Sequence, residues 1–261
     1  MGAIKTSRGK LGLLETDAGA GAVPIIFLHG VGSDKGVWRP QLEHFGQARR
    51  AVAFDYPGYG ESDPDPKATR EEFAAAVLAG MDTLGILHAH ICGLSLGGVI
   101  AIALHAQAPE RCASLILADT FAVHPDGEGI YQRSVEASRT ISMRALAEQR
   151  VDMLVGSAAT PELRSEVVET MAAIDPAAYR SGAEAVWLAD LRGAAAAIRV
   201  PSLVLCGNED RITPPVLSHE LAGLIPSARL EIIDQAGHLS NAEQPTAFNS
   251  ALDRFLSDLA Q

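Results

Sequence analysis

The sequence predicts an α/β protein: a mostly parallel, doubly wound sheet interrupted late in the chain by a helical insertion. Three observations carry this. Short apolar runs rich in β-branched residues recur along the chain, stretches of helical period separate them, and one long segment shows no strand signal. At 261 residues, with 48% hydrophobic and 20% charged residues, the chain is long enough for one large domain with an insertion.

The strand-like runs are 23–28, 51–54, 90–92, 115–117, 203–206 and 230–233, with an opening strand at about 11–16. Most are apolar at consecutive positions, which suits strands covered on both faces, as in a parallel sheet between helices. Helices are expected over 71–87, 99–107, 214–224 and 245–259. The prolines near 214 and 245 fall where a helix tolerates them, in the first turn. Strands alternating with helices imply crossover connections and hence parallel neighbours.

From about Phe121 to Leu191 the rhythm breaks. Segments rich in Ala, Glu, Arg and Met are punctuated by Pro125-Asp126-Gly127, Thr160-Pro161 and Asp175-Pro176, which suggests three or four short helices. The segment leaves directly from a strand end, where open α/β sheets bind ligands. The expected division is a core of residues 1–120 and 192–261 with a helical cap of residues 121–191.

The formal net charge of −11 argues against a nucleic-acid partner, because phosphate binding requires basic patches. Cys92, Cys112 and Cys206 are widely spaced and sit in or beside apolar runs, as buried free thiols of a reducing compartment would. The eight histidines show no metal-ligand spacing. There is no signal-peptide pattern and no apolar run long enough to span a bilayer. The expectation is a cytoplasmic protein without a membrane partner, metal or cofactor, acting on a small molecule.

The chemistry enters at Gly93-Leu94-Ser95-Leu96-Gly97. A Gly-x-Ser-x-Gly directly after an apolar strand is the spacing of a nucleophile elbow, a sharp strand-to-helix turn that presents one serine hydroxyl. Composition alone produces this motif often, so the rest of the chain must supply a base, an acid and an oxyanion hole. His238, in Gln235-Ala236-Gly237-His238-Leu239 after the last strand, is the candidate base. Asp210 follows the strand at 203–206 and Asp119 follows the strand at 115–117. Either would lie at a strand C-terminus in the required order of serine, acid, histidine; Asp210 is preferred. Asp234 is too close to His238 in sequence to orient its ring.

An oxyanion hole needs two N–H groups aimed at the developing charge. Leu96, immediately after the serine, supplies one. The loop His29-Gly30-Val31-Gly32-Ser33-Asp34, leaving the first parallel strand, supplies the other from Val31. His29 is read as a structural hydrogen-bonding residue. Asp55-Tyr56-Pro57-Gly58-Tyr59-Gly60-Glu61-Ser62 reads as a tight structural turn.

Together, His29-Gly30, the Asp55–Ser62 turn, the Ser95 elbow followed by Gly98, Gly207-Asn208-Glu209-Asp210 and Gly237-His238 resemble the α/β-hydrolase family. The resemblance runs from about residue 23 to the end of the chain. It implies that fold, and it places the triad on Ser95, Asp210 and His238. A narrower resemblance is to the 3-oxoadipate enol-lactonases, which open an enol-lactone ring in aromatic catabolism. It rests on residues 237–245, on Ala197-Ile198-Arg199-Val200-Pro201 and on Asp190-Leu191-Arg192. The first half of the cap departs from that branch: Gly129-Ile130-Tyr131-Gln132-Arg133 and Met153-Leu154-Val155-Gly156-Ser157 stand where it carries a tryptophan and an aromatic pair. Gly30, Arg133 and Trp187 are the candidate substrate-contacting residues.

The expected function is hydrolysis of a carboxylic ester or lactone through an acyl-enzyme. The alternatives are a C–C bond hydrolase or perhydrolase using the same triad, and a small-molecule receptor on a hydrolase scaffold.

Overall fold

The computed structural model describes residues 2–17, 21–65 and 67–259. Eight strands form one sheet: β1 (Gly2–Thr6), β2 (Gly9–Thr16), β3 (Ile25–Leu28), β4 (Ala51–Phe54), β5 (Ala89–Leu94), β6 (Cys112–Ala118), β7 (Ser202–Gly207) and β8 (Ala228–Ile233). Their order is β1-β2-β4-β3-β5-β6-β7-β8. From β4 to β8 every pairing is parallel, while β1 and β2 run antiparallel at one edge.

The consecutive apolar positions of the central strands are explained by two cores, one on each face. Ile26, Leu28, Val52, Phe54 and Ile91 point to one; Ile25, Phe27, Ala51, Ala53 and Cys92 point to the other. Alternation along each strand divides the side chains between them. Helices α1 (Arg39–Phe45) and α11 (Pro245–Leu259) cover the second face, with Phe45, Phe248, Leu252 and Phe255. Helices α2 (Arg70–Thr83), α3 (Leu96–Gln107) and α9 (Pro215–Leu224) cover the first, with Phe73, Val77, Ile100 and Leu221. The short α10 (Ser240–Glu243) precedes α11.

Between β6 and β7 lie α4 (Gly127–Thr140), α5 (Met143–Leu154), α6 (Pro161–Ala172), α7 (Pro176–Trp187) and the short α8 (Arg192–Ala196). The punctuation read in the sequence sets their starts. Thr160 and Asp175 cap α6 and α7 through their side-chain oxygens, with Pro161 and Pro176 at the first helical positions; Ser142 caps α5 in the same way. An isolated bridge, Val123 to Asp190, ties the exit of this segment to its return.

Three expectations need adjustment. β1 was not foreseen, because it is exposed at alternate positions and carries no apolar run. The helix expected over 71–87 ends at Thr83, before Gly85 with φ +68°. The helix expected from residue 99 begins at Leu96, directly after the serine. The three cysteines are free and buried. No described helix is long and apolar enough to cross a membrane.

Candidate active site

Ser95 occupies the turn between β5 and α3 with φ 55° and ψ −115°, a conformation that a side-chain-bearing residue adopts only under strain. The turn is tight enough to exclude neighbouring side chains. A Cβ on Gly97 would lie 2.0 Å from the Leu28 carbonyl oxygen, and one on Gly93 would lie 2.1 Å from that of Gly97. Glycine at both positions is therefore a steric requirement of the motif. Outside the turn, the Ser95 N–H donates to the Ala118 carbonyl at 2.9 Å, and the Thr120 hydroxyl donates to the Ser95 carbonyl at 2.8 Å.

His238 sits in the loop after β8. Its Nε2 is 2.9 Å from Ser95 Oγ, and its Nδ1 is 2.8 Å from Asp210 Oδ2. The structure thus brings Ser95, His238 and Asp210 into one hydrogen-bonded line, with all three nearly buried. Asp210 is fixed by the turn that follows β7. Its Oδ1 accepts from the N–H groups of Ile212 and Thr213 at 2.8 and 2.9 Å, and its Oδ2 accepts from the Thr213 hydroxyl at 2.7 Å. Burial alone would raise the Asp210 carboxyl, but the His238 ring and the Thr213 donors outweigh it and hold Asp210 below its ordinary value. For His238, burial alone would lower the ring. The Asp210 charge and hydrogen bond reverse that, so the imidazole is held above its ordinary value.

Asp119, the competing acid, makes no hydrogen bond to His238, whose Nδ1 is taken by Asp210. It is fully buried at the end of β6, where it accepts from the Gly207 N–H at 2.8 Å and from the Ser240 hydroxyl. Burial first, and the Asp210 charge second, push it up to about 8. It ties β6 to β7 and to α10. Asp119, Cys206 and Asp210 are the one group of potential metal ligands among the described residues. Every carboxylate oxygen in it already accepts an internal hydrogen bond, and burial pushes the Cys206 thiol well above the ordinary range. The donor set is built for internal bonding and does not fit a metal ion.

A cavity of about 210 Å³ opens onto Ser95 and His238. Gly30, Val31 and Gly32 line one wall, and Leu154, Leu163, Val167 and Trp187 come from the segment between β6 and β7. Gly30 lies against the nucleophile position: a Cβ there would stand 3.4 Å from Ser95 Cβ. Leu96 begins α3, whose first N–H groups have no partner within the helix. Trp187, buried and stacked on Phe121, borders this cavity and also a second one of about 480 Å³. Arg133 is not in the first cavity. It lines the second, largely exposed and paired with Asp126 at 2.6 Å.

Sequence reasoning missed two acids that act through backbone N–H groups. Glu209, beside Asp210, accepts from the Ser157 N–H at 2.6 Å and its hydroxyl at 2.9 Å. Glu243 accepts from Gly237 N–H at 2.9 Å, Leu239 N–H at 3.2 Å and Gly156 N–H at 2.6 Å. The His238 N–H also donates to the Leu154 carbonyl at 2.9 Å. The turn after α5 is therefore fastened to both loops that carry the line of polar groups. The spacing of Glu243 from His238, five residues on in Gly237–Gln244, was the available signal. Arg150 also borders both cavities and was not anticipated.

The chain is 28% identical over 258 residues to 3-oxoadipate enol-lactonase 1 of Acinetobacter baylyi, covering 98% of this chain and 97% of that protein. It is 32% identical to a 2-hydroxymuconate semialdehyde hydrolase of a Pseudomonas species, covering 93% and 89%. The crystal structure of the enol-lactonase from Burkholderia xenovorans superimposes with a TM-score of 0.91 at 30% identity, covering 98% of this chain and all of that one. The model of the alpha/beta hydrolase fold matches residues 23–245, and the chain belongs to that family.

Proposed function

We propose that the protein is a serine hydrolase that cleaves a carboxylic ester or lactone through an acyl-enzyme. The observation that carries this is the Ser95–His238–Asp210 hydrogen-bonded line, open to a cavity beside the Gly30–Val31 loop. Ser95 Oγ attacks the carbonyl carbon while His238 Nε2 takes its proton. Asp210, on Nδ1, keeps the ring in the tautomer that leaves Nε2 free and stabilises the imidazolium. The oxyanion is held by the N–H groups of Val31 and Leu96. His238 then returns the proton to the leaving alcohol. Water, deprotonated by the same nitrogen, attacks the acyl-enzyme and releases the acid.

The helical segment of residues 121–191 acts as a cap that closes the cavity and sets the acyl shape. Its contributions to the wall are the aliphatic Leu154, Leu163 and Val167, the polar Arg150, Glu166 and Thr170, and the aromatic Trp187. An enol-lactone is the narrower reading, supported by the named activities of two relatives. Carbon–carbon hydrolysis is the second reading, supported by the similarity to the semialdehyde hydrolase.

The test is steady-state turnover of p-nitrophenyl acetate and of a panel of small lactones, scored by kcat/KM. Sustained turnover, falling by at least about 10⁴-fold in Ser95→Ala, supports the reading. Unchanged turnover in that variant overturns it. A single slow turnover with a retained product would identify a receptor instead.

A further inference from the structure

The second cavity, of about 480 Å³, differs in charge from the rest of the protein. In the whole chain, acids outnumber lysines and arginines by 32 to 21. The charged residues lining this cavity are nevertheless Arg133, Arg150 and Arg211, with no acid among them. His124 lines it too, but burial holds that ring below its ordinary value, so near neutral pH the lining charge is that of the arginines.

We propose that the second cavity binds an anionic group at the far end of the substrate: a carboxylate carried on an apolar acyl chain whose other end is attacked by Ser95. The substrate class is an ester of a dicarboxylic acid with a long methylene spacer. The proposal rests on the Ser95 reading above.

The positive charge is available for a ligand. Arg133 is already paired with Asp126 at 2.6 Å. Arg150 is half-buried and makes no hydrogen bond or ion pair among the described residues. Arg211 has one acceptor, the Asp152 carbonyl at 3.4 Å, and Glu209, which feels its charge, is committed to Ser157. Guanidinium donors withdrawn from water without acceptors are costly, and a carboxylate satisfies them with charge-assisted bonds. The Ser95 cavity is less selective for an anion, because Glu166 lines it beside Arg39 and Arg150.

An apolar surface lies next to that charge. Met153 and Val216, 44% and 58% exposed, are among the few large hydrophobic side chains left open to solvent in the described residues, and both line the second cavity. Together with the arginines they match an amphiphile, with methylenes on one side and a carboxylate on the other.

The two cavities adjoin. Arg150, Trp187 and Ile212 line both. Trp187 is 3% exposed, and its Nε1–H has no acceptor among the described residues. The shared wall thus holds donors in search of an acceptor. Arg150 is its long, flexible member, and it breaks no bond in turning aside for a chain that passes from one cavity to the other. A carboxylate close to the reacting carbonyl stays in the Ser95 cavity; only a long spacer carries it beyond.

The experiment compares the monoethyl ester of suberic acid with its terminal primary amide, equal in length but uncharged, and repeats the pair on the short succinic skeleton. Wild type is expected to prefer the suberic acid over its amide by roughly 10–100-fold in kcat/KM. The succinic pair should differ by less than about threefold, since its carboxylate does not reach the second cavity. Arg150→Met and Arg211→Met should each cut the suberic ratio by at least about threefold, and Arg150→Lys should keep most of it. A suberic ratio near one, an equal preference in the succinic pair, or a ratio unchanged in both methionine variants overturns the proposal. If the variants do not fold, the wild-type comparison of long and short pairs decides alone. Calorimetry with Ser95→Ala, which holds the esters uncleaved, reads the site without turnover. There the suberic acid ester should bind more tightly than its amide; equal affinities overturn this proposal and leave the Ser95 reading intact. Turnover that persists in Ser95→Ala, with the acid still bound more tightly, overturns the Ser95 reading alone.

Discussion

The Glu243 carboxylate accepts the N–H of Gly156 at 2.6 Å, across 87 residues of sequence. Its other oxygen accepts the N–H groups on either side of His238, those of Gly237 and Leu239. One side chain thus joins the turn after α5 to the histidine loop. Removing it leaves up to three N–H groups without an acceptor at a partly buried position, at about 1–3 kcal/mol for each one that water does not reach. Glu243→Ala is expected to lower Tm by on the order of 5–10 °C and kcat by about tenfold. Glu243→Gln, which keeps one acceptor, should fall between wild type and Ala. Calorimetry and steady-state kinetics check both.

The same junction explains Gly156. A Cβ there would stand 2.9 Å from Gly237 N and 3.1 Å from Ala236 C. Gly156→Ala should push the His238 loop off Ser95, lowering kcat more than it raises KM. A crystal structure of the variant would show the change as a longer Nε2–Oγ distance.

His238 gives the pH dependence. As general base it must be neutral, and the site holds it above the ordinary value of 6.5. The acid limb of kcat/KM should therefore lie above pH 6.5. Asp210→Asn removes the charge that raises the ring and leaves burial, which lowers it. The limb should move to lower pH while kcat drops by about 10⁴-fold. A limb that stays in place would show that Asp210 does not control the ring.

Ser95 stores backbone strain, at φ 55° and ψ −115°. Ser95→Gly and Ser95→Ala both lose the hydroxyl, but only glycine relaxes in this region. Ser95→Gly should be the more stable of the two by about 1 kcal/mol, a Tm difference of roughly 2–4 °C.

Trp187 lines both the Ser95 cavity and its larger neighbour, together with Arg150 and Ile212. Trp187→Leu should open one into the other. The expected result is a rise of about tenfold in kcat/KM for octanoate relative to butyrate p-nitrophenyl esters. An unchanged ratio would show that the partition lies elsewhere.

Much of this was legible in the sequence, for identifiable reasons. The central strands announce themselves because both faces are buried. The helices of the insertion announce themselves through Thr160-Pro161 and Asp175-Pro176, where capping and proline geometry are local. The Ser95, Asp210 and His238 positions follow from strand ends and chain order. β1 escaped because an exposed edge strand needs no apolar run. Glu209 and Glu243 escaped because their partners are backbone N–H groups and the Ser157 hydroxyl, and nothing local marks an acid destined for such partners. Arg133 read as a candidate for the pocket, yet its helix turns it to Asp126 at the outer cavity.

The central claim is that Ser95 becomes acylated during turnover. The most direct measurement is peptide mass mapping of wild-type enzyme acid-quenched while hydrolysing p-nitrophenyl acetate. One acetyl group is expected on the peptide containing Ser95, absent in Ser95→Ala. Sustained turnover with the acetyl group on another residue, or on none, would contradict the account.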